Sequence, residues 1–100
     1  IQIIALLYAS DSGIQALRAF ESQVLPILRE HGGHLISASS NDNRERHEPD
    51  EIHVIQFASQ IEFDAYKNDA RVMALQQVKE TAIRKMDIYV TNHFYDYESV

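Results

Sequence analysis

Five histidines, five tyrosines and no cysteine set the range of chemistry open to this 100-residue chain. Without a thiol there is no disulfide, no thiolate nucleophile and no cysteine metal site. The histidine with the most suggestive neighbours is His93, in the run MDIYVTNHFY, where Tyr89, Thr91 and Tyr95 share its parity along an extended strand. An imidazole that titrates near neutrality, set among phenols, can act as a general base on an acidic C–H or O–H. The same residue could instead be a hydrogen-bonded histidine at a strand end. His53, in EIHVIQFAS, shares a parity with Ile55 and Phe57. If the strand carrying Tyr8 separates the two histidines, strand spacings of roughly 4.8 Å put them about 10 Å apart. That is too far for one metal ion. It suits two groups flanking a small ligand, with Tyr8 between them; the plainer reading of His53 is a polar residue on an interface strand.

Other polar clusters carry less. His31 and His34 flank Gly32-Gly33 across a helix end, so their rings need not converge on a metal, and His31 there complements the helix dipole. His47, Glu48, Asp50 and Glu51 sit in or beside a loop with nothing rigid to position ligands. Arg71 could hold a substrate carboxylate through its guanidinium fork; otherwise it pairs with Asp64 or Glu62, while Asp69 caps a helix. No Gly-rich phosphate loop, nucleophile elbow or H-E-x-x-H motif is present.

The elements that must position these residues follow from periodicity. Ile1 to Ala9 reads as a strand apolar on both parities: Ile3, Ala5 and Leu7 on one side, Ile4, Leu6 and Tyr8 on the other. Ser12 and Gln15 form a capping box, and Ile14, Leu17, Val24, Leu25 and Leu28 make the apolar stripe of a helix that bends at Pro26 and ends at Gly32-Gly33. His34 to Ser40 and Glu51 to Ser59 are strands, joined by the polar loop 41–50. Ser59 and Glu62 form a second box, opening a helix interrupted at Asn68-Asp69 and continuing through Ile83. Met86 to Tyr95 is the last strand, followed by a loose tail, 96–100.

The order β-α-β-β-α-β makes this an α+β chain with the ferredoxin-like arrangement. It forms one domain over residues 1–100, with a four-stranded antiparallel sheet in the order 4-1-3-2 and both helices on one face. Two helices cover only one face, yet the first and last strands are apolar on both. A second copy of the same face is the simplest cover, so a barrel-like homodimer is expected.

Composition removes several alternatives. Nine Lys and Arg against fifteen Asp and Glu leave a net charge of −6, which argues against a phosphate-backbone partner. The central strands carry no Lys or Arg, which excludes the RNA-recognition version of this topology. No apolar run approaches the roughly 18 residues of a membrane span. With no visible leader the expectation is cytoplasmic, although the first residue is Ile1 rather than Met and a processed start is consistent with that.

The stretch PDEIHVIQFASQIEFDAYKNDARVMAL, Pro49 to Leu75, places Phe57-Ala58-Ser59, Tyr66 and Asp69-Ala70-Arg71 at the end of a strand and along the following helix. It resembles a small uncharacterised family of the dimeric α+β barrel superfamily. That superfamily includes antibiotic-biosynthesis-type monooxygenases, muconolactone isomerase and stress-responsive barrel proteins. The resemblance implies a homodimer and a small-molecule pocket, but the scaffold hosts oxygenation, isomerisation, haem chemistry and plain binding. The haem-degrading members use a Trp in an Asn-Trp-His set, and this chain has no Trp.

The expectation is therefore a dimeric barrel that binds a small, largely apolar organic molecule. Any chemistry is a cofactor-free isomerisation or oxygenation with no metal. His93 and His53 serve as base and orienting group, and Tyr8, Tyr89, Thr91, Tyr95 and Arg71 line the ligand. The alternative is a non-enzymatic dimerisation or ligand-sensing module.

Overall fold

A computed structural model describes residues 1–42, 45 and 47–98. Strand β1 (Gln2–Ala9) is central, flanked by β3 (Glu51–Gln56) and β4 (Ile83–Thr91), with β2 (His34–Ser40) outside β3. All three pairings are antiparallel, so the order β2-β3-β1-β4 is the ferredoxin-like one read from the sequence. Loop residues 43, 44 and 46, and residues 99 and 100 of the tail, lie outside the described residues.

Parity sorts the two faces of the sheet. Ile3, Ala5 and Leu7 of β1 are buried, and Ala5 and Leu7 pack with Leu17, Phe20 and Val24 of helix α1 (Ile14–Glu30). A second cluster joins Ile3 to Leu28, Phe57 and Phe63, the last from helix α2 (Gln60–Lys67). Short helices α3 (Ala70–Ala74) and α4 (Gln76–Ala82) complete the layer. The opposite face carries Ile4 and Leu6 across from Val54 and Ile52 of β3 and from Tyr89 and Asp87 of β4. No element of the chain is placed over it among the described residues.

Local chemistry accounts for most element ends. The C-terminus of α1 is a Schellman turn: Gly33 N–H donates to the Leu28 carbonyl and Gly32 N–H to that of Arg29. Gly32 has φ +78°, which only glycine adopts without a steric cost. Ser59 caps α2, accepting from Ile61 N–H and donating to the Glu62 carboxylate. Asp69 caps α3 by accepting from Arg71 N–H.

Five boundaries differ from the sequence reading. Helix α1 starts behind Gly13, at φ +89°, with no side-chain cap. The Ser12 amide instead donates to Ser10 Oγ, because the β1–α1 turn closes on Ser10, whose Oγ reaches the Thr81 carbonyl at 2.5 Å. The second helical stretch breaks again at Leu75, which ends α3 and precedes α4. Strand β3 stops at Gln56 rather than Ser59. Strand β4 begins at Ile83, not Met86, and stops at Thr91, not Tyr95. The β1–β4 ladder runs out at Gln2–Thr91, since Ile1 exchanges backbone hydrogen bonds with Phe57 of the other neighbour.

Candidate functional site

A cavity of about 290 Å³ lies between the sheet and the helix layer. Ile3, Ala5 and Leu7 of β1 and Ile55 of β3 form its floor, with Phe20, Val24, Phe57, Phe63 and Tyr66 around them. Exposed Lys67, Met73 and Gln76 line the same space and mark its mouth. The walls are apolar except for a few side chains, and two of these, Glu21 and His53, face each other.

His53 is opposite Ala5 on β1 and therefore points to the helices, where it is 3% exposed. A histidine this buried must have its ring nitrogens accounted for. Nε2 lies 2.9 Å from Glu51 Oε1, and Glu51 is two residues earlier on β3, on the same face. Arg18 Nε donates to the other Glu51 oxygen at 3.3 Å. A carboxylate acceptor at Nε2 requires the proton there, so the neutral ring presents Nδ1 as a lone pair. Nδ1 lies 3.9 Å from Glu21 Oε2, too far for a direct hydrogen bond.

Glu21 enters from the apolar side of α1, one turn after Leu17 and just before Val24. Burial pushes its carboxyl above the ordinary 4.5; Glu51 adds to the rise, while His53 and Lys79 oppose it. Tyr66, facing the same cavity, has its phenol pushed up to about 12 by burial, with Glu21 adding to it. A raised carboxyl and a carboxylate-held imidazole in one apolar cavity are the kind of pair that proton-transfer sites contain.

The structure does not bring the expected set together. His53 is on the helix side, whereas Tyr8, Tyr89 and Thr91 belong to the opposite face, so the pairing of His53 with Tyr8 around one ligand is corrected: parity puts the sheet between them. Tyr8 is enclosed by its neighbours, with Arg84 and Lys85 about its ring at 5.1 and 4.9 Å and Asp87 accepting from its hydroxyl at 3.4 Å. Thr91 donates its hydroxyl to the Gln2 carbonyl, and Tyr89 is exposed. His93 and Tyr95 follow the end of β4, so strand parity no longer aligns them with Tyr89, and Tyr95 stacks on Tyr97 in the tail.

Arg71 does not line the cavity. Its guanidinium grips Asp69 through Nε and Nη2 and reaches Glu30 at 2.7 Å, in place of Asp64 or Glu62. His31 donates from Nε2 to the same Asp69 at 2.8 Å, so the α2–α3 junction is tied to the end of α1. These hydrogen bonds, that from Arg71 first, hold the Asp69 carboxyl well below the usual range. Among the described residues no group of three or more His, Asp or Glu side chains is placed to hold a metal ion. Among the same described residues no helix is long and apolar enough to cross a membrane.

Glu21 was not singled out from the sequence, and Glu51 was weighed only as part of the polar loop cluster, though both left a signal. Glu21 is a charge on an otherwise apolar stripe, and Glu51 stands two residues before His53 on a strand.

No protein-family model and no curated protein matches the chain. Solved structures do. A candidate antibiotic biosynthesis monooxygenase from Nitrosomonas europaea superposes with a TM-score of 0.65 over 92% of this chain and 98% of its own, at 11% identity. An uncharacterised NIPSNAP domain protein from Burkholderia xenovorans gives 0.67 over 95% and 97%, at 10% identity. A dimeric ferredoxin-like protein of unknown function from Thermobifida fusca gives 0.55 over 88% and 85%, at 13% identity. At these identities the likeness establishes the fold, a ferredoxin-like α+β domain, and leaves chemistry to be argued from the site.

Proposed function

We propose that this protein binds a small, largely apolar organic molecule in the cavity between sheet and helices, and acts on it without a cofactor through His53. The observation that carries the reading is the Arg18–Glu51–His53 chain, which runs inward from an exposed guanidinium to the buried imidazole and ends on a free Nδ1 in an apolar cavity. A structural histidine needs only hydrogen-bonded nitrogens; here one nitrogen is fixed and the other faces open space beside a second carboxyl. Cavities of this size suit a molecule of one or two rings, gripped by apolar walls and oriented by a few polar atoms. We propose too that two copies pair through the open sheet face, a reading supported by its uncovered Ile4, Leu6, Ile52 and Val54.

The test is ligand-observed NMR with neutral one- and two-ring hydrocarbons and ketones, repeated on Val24→Phe, which narrows the cavity. Binding by the wild-type chain that falls at least tenfold in the variant supports the reading. Failure of the whole set to bind, or equal binding by a folded Val24→Phe chain, overturns it.

A further inference from the structure

We propose that Glu21 and His53 work as an acid–base pair on one substrate, so that the bound molecule is an apolar carbonyl compound and the reaction is enolisation followed by isomerisation. This rests on the cavity reading above and chooses, among cofactor-free chemistries, proton transfer rather than oxygenation.

The argument is geometric. Two groups on different layers, one from α1 and one from β3, converge to 3.9 Å across the cavity. That gap is too long for the pair to satisfy each other, and it matches the two ends of a C–H–C=O unit lying alongside them. The Nδ1 lone pair meets the α-hydrogen, and the Glu21 hydroxyl meets the carbonyl oxygen. The two carboxyls differ in setting as the roles require. Glu51 is held by Arg18 and by the Nε2–H of His53, whereas burial of Glu21 favours its protonated form, with Glu51 adding to this and His53 and Lys79 opposing it. The apolar walls around the pair would leave a substrate carboxylate poorly solvated next to the Glu51 carboxylate, so the cavity suits a neutral ligand.

The step balances within the substrate and these two residues. His53 Nδ1 takes the α-proton and the C–H electron pair becomes a C=C bond. The carbonyl π pair moves to oxygen, which takes the Glu21 proton. The result is an enol, an imidazolium and a carboxylate. Where a neighbouring C=C conjugates with the enol, the imidazolium delivers its proton to the far carbon and the enol O–H returns to Glu21. Both residues regain their starting states and nothing is oxidised or reduced. Glu51 is a positioning residue, because it reaches the substrate only through the imidazole.

The experiment measures α-hydrogen exchange of 2-tetralone in D2O by NMR, with binding followed in the same samples by saturation transfer. The wild-type chain should speed exchange in a saturable way. His53→Gln should lose on the order of a hundredfold of that acceleration. Glu21→Gln, close in shape and checked for folding by circular dichroism, should lose at least tenfold while still binding 2-tetralone. Binding by the wild-type chain without faster exchange overturns the acid–base assignment and leaves the cavity reading standing. Exchange by Glu21→Gln at the wild-type rate removes Glu21 from the chemistry. Absence of any 2-tetralone binding overturns this proposal, and the cavity reading falls with it only if the wider hydrocarbon and ketone set also fails.

Discussion

Glu21 shows how far one residue can be read from sequence and where that stops. A helical stripe is recognised by its apolar members, so a glutamate between Phe20 and Val24 is easily assigned to the solvated side. The structure gives it the opposite role: it lines the cavity beside His53. His53 itself was legible as a strand residue in line with Ile55, but which face that parity takes depends on long-range packing. Its pairing with Ala5 settles the matter. His93 lost its expected neighbours for a different reason, since a ladder's length depends on the partner strand as well as on the strand itself. Glu21 also makes a prediction about stability. Its pKa is raised on folding, so its contribution is fully present below its ordinary 4.5 and is lost as pH rises through the folded value. Above that value the chain carries a poorly solvated carboxylate. Glu21→Gln removes that penalty. Thermal unfolding from pH 4 to 8 should show the variant gaining on wild type as pH rises, and a constant offset would refute the assignment.

At the scale of elements, most of the architecture was legible because capping, turn chemistry and period agree with one another. Ser59, Asp69 and Gly32-Gly33 mark helix ends in both sequence and structure. Ser12 misled because its motif competes with Ser10, whose tie to Thr81 depends on a contact 71 residues away. The α3–α4 break at Leu75 has no glycine or proline to announce it. The α1–β2 turn offers a sharp test. A Cβ on Gly33 would sit 2.6 Å from Leu28 Cδ2 and 2.7 Å from Phe57 Cζ, both buried side chains that hold the core cluster around Ile3. Gly33→Ala should therefore destabilise by about 1–3 kcal/mol, the usual range for overpacking, as read by urea unfolding. At Gly32 the added Cβ meets nothing within 4 Å, so Gly32→Ala should lose stability through its positive φ alone, roughly 1–2 kcal/mol.

The whole molecule carries more surface than its mass calls for. It exposes 6668 Å², against about 5,800 Å² for a monomer of 11.5 kDa. Its radius of gyration is 14.3 Å, where about 13 Å is usual for this length. The excess is comparable to the roughly 800 Å² that each partner loses in a standard interface, and the sheet face bearing Ile4 and Leu6 is available for it. The sequence anticipated the uncovered face because β1 is apolar on both parities. It left open which face of the sheet holds a ligand cavity, and the cavity with its polar pair lies on the helix side. The proposed dimer and the proposed ligand site are therefore separable, and one variant tests both. Ile4→Glu puts a charge in the middle of the open face without touching the cavity lining. Light scattering at tens of micromolar should find the wild-type chain at twice its monomer mass and the variant at monomer mass, with 2-tetralone binding retained to within a few-fold. A wild-type monomer would remove the dimer. Loss of ligand binding by a folded Ile4→Glu monomer would place the site between two sheets instead, and the chemistry argued for His53 and Glu21 would be overturned.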